Sequence, residues 1–363
     1  MKSRSRRALL DLIYYSGLNA ILHPIFGGLG AILCLHHVRP GSDAPFQPNF
    51  KLEIEPAFLQ KLVIELKRAG YEFISLNEAH RRLTDENDIQ PFVCLTFDDG
   101  YRDNFEWAYP VLKEHAVPFT IFVVTDFADG TGCLWWRALE RVIAISDRLP
   151  LPASGELVSC GTIAEKHAVF SWCVEWARLT DPKRIEHYVN VLGQRAGIDL
   201  RALTAELCLR WDELAALARD PLVALGGHGL THVALSQVIR EQAQAEMRTC
   251  ARLIEDRTGV RCRHFAYPFG NRTEAGPREF AIAAELGFKT AVTTRDGAIF
   301  AAHRRHLTAL PRIVVDGDLQ RWHYADLMVS GAVRRLWNGG RCVDAAEGEF
   351  RGFGRLKREA KSR

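Results

Sequence analysis

The sequence predicts an α/β fold: a distorted parallel (β/α) barrel with a helical insertion. Two observations carry this. From Gly30 onward, short apolar runs alternate with longer stretches of helical periodicity, the signature of parallel strands joined by crossover helices. Chemically active residues also fall just after the apolar runs: His36 after one, Asp98 and Asp99 after another, His228 after a third. In barrels and open parallel sheets the C-terminal ends of strands carry the chemistry.

The candidate strands are Ala31–Leu35, Phe92–Phe97, Phe119–Val124, Leu222–Leu225, His264–Tyr267 and Thr290–Thr293, with a late strand over Leu310–Val315. Between them lie amphipathic helices such as Pro56–Ala69, where Phe58, Leu59, Leu62 and Leu66 share a face, and Ser236–Thr258. From about Gly132 to Asp220 the rhythm stops. This stretch holds Trp135, Trp136, Trp172, Trp176 and Trp211 among helix-forming segments, and reads as a helical insertion whose tryptophans mostly fill a small core. The expected organisation is an N-terminal amphipathic helix and loop over 1–29, a barrel over 30–330 with the insertion at about 132–220, and a basic tail over 331–363.

Composition is that of an ordinary globular protein, 47% hydrophobic and 25% charged. Lys+Arg of 47 against Asp+Glu of 44 leaves a formal charge of +3, so no global electrostatic case for nucleic acid exists. The nine cysteines form no C-x-x-C pair, and Cys34 and Cys94 lie inside apolar runs, which reads as reduced core thiols in a reducing compartment. Leu10, Ile13, Tyr14, Leu18 and Ile21 recur at helical spacing behind Lys2, Arg4, Arg6 and Arg7. Such a helix packs on a core or makes a weak peripheral contact with a membrane. Asp11, Asn19, His23 and Pro24 interrupt the apolar character, so the expected location is cytoplasmic, with association to the inner membrane as an option.

The strongest local signal is Leu95-Thr96-Phe97-Asp98-Asp99-Gly100-Tyr101, an apolar strand ending in two carboxylates. Side chains alternate along an extended chain, so one aspartate can face a metal and the other a water. Asp-Asp-Gly is also good turn chemistry. The second signal is Gly226-Gly227-His228-Gly229-Leu230-Thr231-His232. Histidines four apart share one face of a helical turn, and with one carboxylate they make three protein ligands and leave a position for water, as a catalytic zinc site requires.

These residues resemble the NodB-homology polysaccharide deacetylases, carbohydrate esterase family 4. The family's T-F-D-D-G motif stands here as Thr96–Gly100, and its H-[ST]-x-x-H motif as His228–His232 with Gly229 in place of Ser or Thr. Phe265-Ala266-Tyr267-Pro268-Phe269-Gly270 is similar to its third motif. The resemblance implies a barrel of the polysaccharide deacetylase type. Asp98 would be the general base, Asp99, His228 and His232 would hold a divalent metal, and the backbone N–H near Phe269, beside Tyr267, would stabilise the oxyanion. The metal would be zinc, with cobalt, nickel or manganese as alternatives.

Two departures stand out. The arginine that orients the base in the third motif is replaced by Ala266, with Arg263 three residues earlier, and Arg312 on the late strand is a candidate to orient Asp98 instead. The histidine that ends the family's last motif is missing from Leu310–Val315. Leu33-Cys34-Leu35-His36-His37-Val38 resembles the N-terminal motif of permuted exopolysaccharide deacetylases. This makes His36 the candidate acid, opposite Asp98, and His37 a loop residue. The implied partner is an acetylated amino-sugar glycan, and the implied reaction is N-deacetylation of an N-acetylhexosamine oligomer or polymer. Hydrolysis of another acetylated glycan or a non-sugar amide, and glycan binding without catalysis, are the alternatives.

Overall fold

The computed structural model describes residues 3–19, 22, 27–85, 90–178, 180–339 and 341–344. Seven parallel strands close a barrel in the order β1 (Gly30–Leu35), β12 (Leu310–Val314), β11 (Thr290–Asp296), β10 (His264–Ala266), β9 (Val223–Gly227), β6 (Phe119–Val123) and β5 (Phe92–Phe97), with β5 returning to β1. The first and last strands are therefore neighbours, with Leu33 opposite Ile313, and β1 runs in register with β5 from Gly30 opposite Phe92 to Leu35 opposite Phe97. Two-residue strands escape a periodicity reading: β2 (His37–Val38) pairs with β3 (Glu53–Ile54), and β4 (Glu72–Phe73) pairs with the start of β5.

Parity decides where each side chain goes, because successive residues of a strand face opposite sides. Leu33, Leu35, Val93, Leu95, Phe97, Ile121 and Phe265 pack outward into the main core against the helices, while Ile32, Cys94, Phe122, Ala266, Val292 and Leu310 fill the barrel interior. Burial of each such Leu, Ile, Val or Phe contributes about 1.5–3 kcal/mol. The helix Leu76–Thr84 lends Leu76, Ala79 and Leu83 to the interior cluster and so stoppers the lower end. Phe122 fits inside because Gly226 faces it: a Cβ there would stand 2.5 Å from the ring.

Between β6 and β9 the chain forms the helices Trp135–Ile145, Ile163–Arg178, Pro182–Ala196 and Leu200–Leu207, together with the hairpin β7 (Arg148–Pro150) and β8 (Leu157–Ser159). They share a core of their own, including Leu139, Ile143, Phe170, Val189 and Leu203. Lys166, buried in it, donates to the carbonyls of Ile143, Ala144 and Ser146, placing a cation at a helix C-terminus. Leu214 and Leu217 of the helix Trp211–Leu217 instead join the barrel core.

The N-terminal helix Ser3–Tyr15 turns Leu10 and Ile13 into the main core and leaves Leu12 and Tyr15 exposed. Ile21, His23 and Pro24 lie outside the described residues, as does the basic stretch from 345 onward. The described part of the expected tail packs on the barrel: Ala332 and Val333 are buried, Asp344 accepts from Thr293 and pairs with Arg295, and Val343 O meets Nε2 of His303 at 2.6 Å. No described helix is long and apolar enough to cross a membrane. None of the nine cysteines is in a disulfide, and seven of them are buried.

Candidate active site

The upper ends of β1, β5, β9, β10 and β12 converge on one cluster. Asp98 keeps interior parity and is buried, and both of its oxygens accept from Arg312: Nη1 to Oδ1 and Nη2 to Oδ2, each at 2.7 Å. Arg312, fully buried, is fixed further by Thr96 Oγ1 at 3.0 Å and the Thr293 carbonyl at 2.9 Å. Arg312 thus occupies the place beside the aspartate that Ala266 leaves empty, while Arg263 stays exposed. Burial alone would push the Asp98 carboxyl up, but Arg312, then His228, hold it well below the usual carboxylate range.

Asp99 leaves the strand at φ +71, which swings its carboxylate out of the alternation and toward the histidines. Its Oδ1 lies 3.5 Å from His228 Nε2 and 3.3 Å from His232 Nε2. His228 Nδ1 sits 2.7 Å from the Ala266 carbonyl, so that nitrogen carries the proton and Nε2 presents its lone pair. Burial lowers His228 to about 4, which keeps the ring neutral near pH 7, as a metal ligand must be.

The segment between the histidines is not the helical turn expected from their spacing. It is a loop, with Gly229 at φ +83 and His232 at φ +62, and it stays in place because Glu246 grips it. Glu246 Oε2 accepts from the N–H groups of Leu230 and Thr231 at 2.8 and 3.0 Å, and Oε1 accepts from Thr231 Oγ1 at 2.9 Å. The positive φ also explains a glycine where the family has Ser or Thr. Three of the five non-glycine residues with positive φ among those described (Asp99, His232 and Phe269) stand in this cluster, and such strain concentrates at functional sites.

Asp99 Oδ1 is buried with no hydrogen-bond partner, and it faces two imidazole nitrogens. An orphaned carboxylate oxygen against two nitrogen donors is the donor set of a divalent cation such as zinc, and Asp99, His228 and His232 are mutually close enough to share one. The residues fit a metal.

His36 directly follows β1 and stands beside Asp98, because Leu35 is opposite Phe97. A ring nitrogen of His36, a carboxylate oxygen of Asp98 and Cys34 Sγ lie within 4.8 Å of one another. The histidine stands alongside Asp98, just past the end of the neighbouring strand, rather than opposite it as expected. His37 points away: it stacks on Tyr101 at 3.5 Å, meets Asp103 at 2.6 Å through Nδ1, and accepts from Arg137 at 3.2 Å through Nε2. Arg137 comes from the insertion, so this buried network ties insertion to barrel.

Two further residues shift from expectation. Tyr267 shares outward parity with Phe265; its hydroxyl donates to the Thr308 carbonyl and its N–H to Val292, so neither is left for substrate. Phe269, at φ +60, does border the site, its ring 4.7 Å from that of His232, and among the described residues its backbone N–H meets no acceptor. Trp136 is not part of the insertion core; it walls the site, its ring 5.0 Å from that of His232, with Nε1 donating to Tyr101. Trp135 packs edge-on against Trp136, Trp172 is exposed, Trp176 lies against the insertion core and Trp211 against the barrel core.

The model of the family described as "Polysaccharide deacetylase" matches residues 85–291. The chain belongs to the polysaccharide deacetylase family. The matched span contains Asp98, Asp99, His228 and His232 and leaves His36, Cys34 and Arg312 outside. YxkH of Bacillus subtilis, which carries the name polysaccharide deacetylase, is 45% identical over 56 residues, 15% of this chain and 20% of its own length. Among solved structures, the Streptococcus pyogenes deacetylase PplD in complex with acetate superposes with a TM-score of 0.56 at 19% identity, over 82% of this chain and 97% of that one. IcaB from Ammonifex degensii does so with a TM-score of 0.50 at 17% identity, over 81% and 96%. Both share the fold of this chain.

Proposed function

We propose that this deacetylase removes N-acetyl groups from an N-acetylhexosamine oligomer or polymer, using a divalent metal held by Asp99, His228 and His232. The observation that carries this reading is the convergence of Asp99 Oδ1 with both Nε2 atoms, within 3.3–3.5 Å, beside an aspartate locked by Arg312. When bound, the cation supplies a Lewis acid for the acetamide carbonyl and acidifies the attacking water. Asp98 takes the proton from that water, held by Arg312 so that its free lone pairs face the reaction. A carboxylate so well stabilised accepts a proton only from a strongly acidified water, which is consistent with a cation next door. The N–H of Phe269 supports the oxyanion, and His36 gives the departing amine its proton.

That His36 directly follows β1, the strand that closes the barrel between β12 and β5, supports the permuted arrangement. The exposed Leu12 and Tyr15, behind the N-terminal arginines, are the proposed surface for a weak contact with the inner membrane from the cytoplasmic side.

Acetate release from a panel of N-acetylated oligosaccharides and polymers, O-acetylated glycans and small acetamides tests the substrate. Preferential release from the N-acetylhexosamine members is the expected result. Release confined to O-acetylated glycans or to small acetamides would overturn the substrate, and glycan binding without any release would overturn the chemistry.

A further inference from the structure

Cys34 lies on β1 and His36 directly follows that strand two residues on, with the same interior parity, and Asp98 follows the position of β5 paired with Leu35. These three place a thiol, an imidazole nitrogen and a carboxylate oxygen within 4.8 Å of one another, with Cys34 Sγ 3.5 Å from Asp98 Oδ2. That is a second donor set with metal-ligand composition, and it contains the one atom type the first lacks, sulfur. We propose that Cys34, His36 and Asp98 form a second, inhibitory site for a soft divalent cation such as zinc in excess or cadmium.

The two donor sets share an edge. Asp98 and Asp99 are consecutive, and Asp98 Oδ2 is 4.0 Å from His228 Nε2, so an ion held by the second set would be a neighbour of one held by the first. Soft thiolate ligands select zinc and cadmium over magnesium, calcium or manganese. Arg312 does not block the site: it uses one lone pair on each Asp98 oxygen and leaves another on each, and its charge with Asp98 sums to zero. As the sulfur–metal bond forms, the Cys34 proton leaves to solvent, so the residues of the site carry one negative charge before the cation's two positive ones. Cys34 is fully buried, so the ion enters past His36, which is partly exposed.

Occupation ties up both groups assigned above to proton transfer, so inhibition rests on the proposed function whereas binding does not. The two are separable. Protein loaded with one equivalent of zinc is titrated with cadmium while the ultraviolet thiolate-to-cadmium charge-transfer band and acetate release are followed together. Cadmium that merely displaces zinc from Asp99, His228 and His232 gives no such band, because that set holds no sulfur. The expected result is a saturable band of one equivalent, paralleled by complete loss of turnover. In Cys34→Ser that band is lost, and whatever turnover the variant retains falls at least about tenfold less steeply with cadmium. An identical band in Cys34→Ser, arising from the partly exposed Cys133 or Cys342, or no saturable band in the parent, overturns the site. A normal band without loss of turnover keeps the site and overturns the roles of Asp98 and His36.

Discussion

Asp98→Asn loses turnover by on the order of a hundred- to ten-thousand-fold while keeping its metal, whereas Asp99→Asn loses the metal itself. The two residues are adjacent in sequence and both buried, yet their partners differ: Asp98 is gripped at both oxygens by Arg312, and Asp99 offers an unpartnered oxygen to two imidazoles. Asparagine at 98 leaves one carbonyl oxygen for Arg312 but strands its charge. Breaking a buried pair costs about 3–5 kcal/mol, so a lower melting temperature accompanies the lost activity. The pH dependence follows from the sign of the shift. The folded Asp98 carboxyl titrates below its ordinary value of 3.8, so its contribution to stability is present above that value and disappears as pH falls through the folded one. The parent is therefore stabilised over Asp98→Asn at neutral pH, and the gap narrows in strong acid. Metal analysis and thermal melts on the same preparations check this; equal loss of metal in both variants contradicts the division of roles.

His36→Ala cuts the catalytic rate by a similar factor, on the order of a hundred- to ten-thousand-fold, with metal content and substrate affinity near those of the parent. An amine leaves only when protonated, and His36 is placed beside Asp98 at the open end of the barrel. Removal of the acid also removes the alkaline limb of the pH–rate profile, a readout that a merely structural residue would not move. His37→Ala should instead show its effect on stability, because His37 sits in the network of Tyr101, Asp103 and Arg137. A parent-like alkaline limb in His36→Ala would move the acid role to another group.

Most of the candidate site could be read from strand ends, since Asp98, Asp99 and His228 follow apolar runs directly and a barrel sends those positions to one rim. Arg312 was legible for the same reason, as a charge at an interior position of an otherwise apolar strand. What failed had physical causes. Tyr267 was drawn in by its motif, although its parity with Phe265 sends it outward. The His228–His232 spacing suggested a helical turn, but Gly229 and Glu246 build a loop instead. Glu246 lies within a helix after the histidines, and its signal was a carboxylate on the buried stripe of Ala243, Met247 and Cys250. Trp136 could not be told from the insertion core, because nothing local reveals that one end of an insertion folds back over the cluster of Asp99, His228 and His232.

The most direct measurement is acetate release and metal per chain determined on one sample, before chelation, after it, and after return of zinc. The account expects release to vanish with the metal and to recover as one equivalent rebinds. It expects no recovery in a variant carrying His228→Ala and His232→Ala. Undiminished release from the metal-free protein, or recovery in that variant, would contradict the claim that Asp99, His228 and His232 hold the catalytic ion.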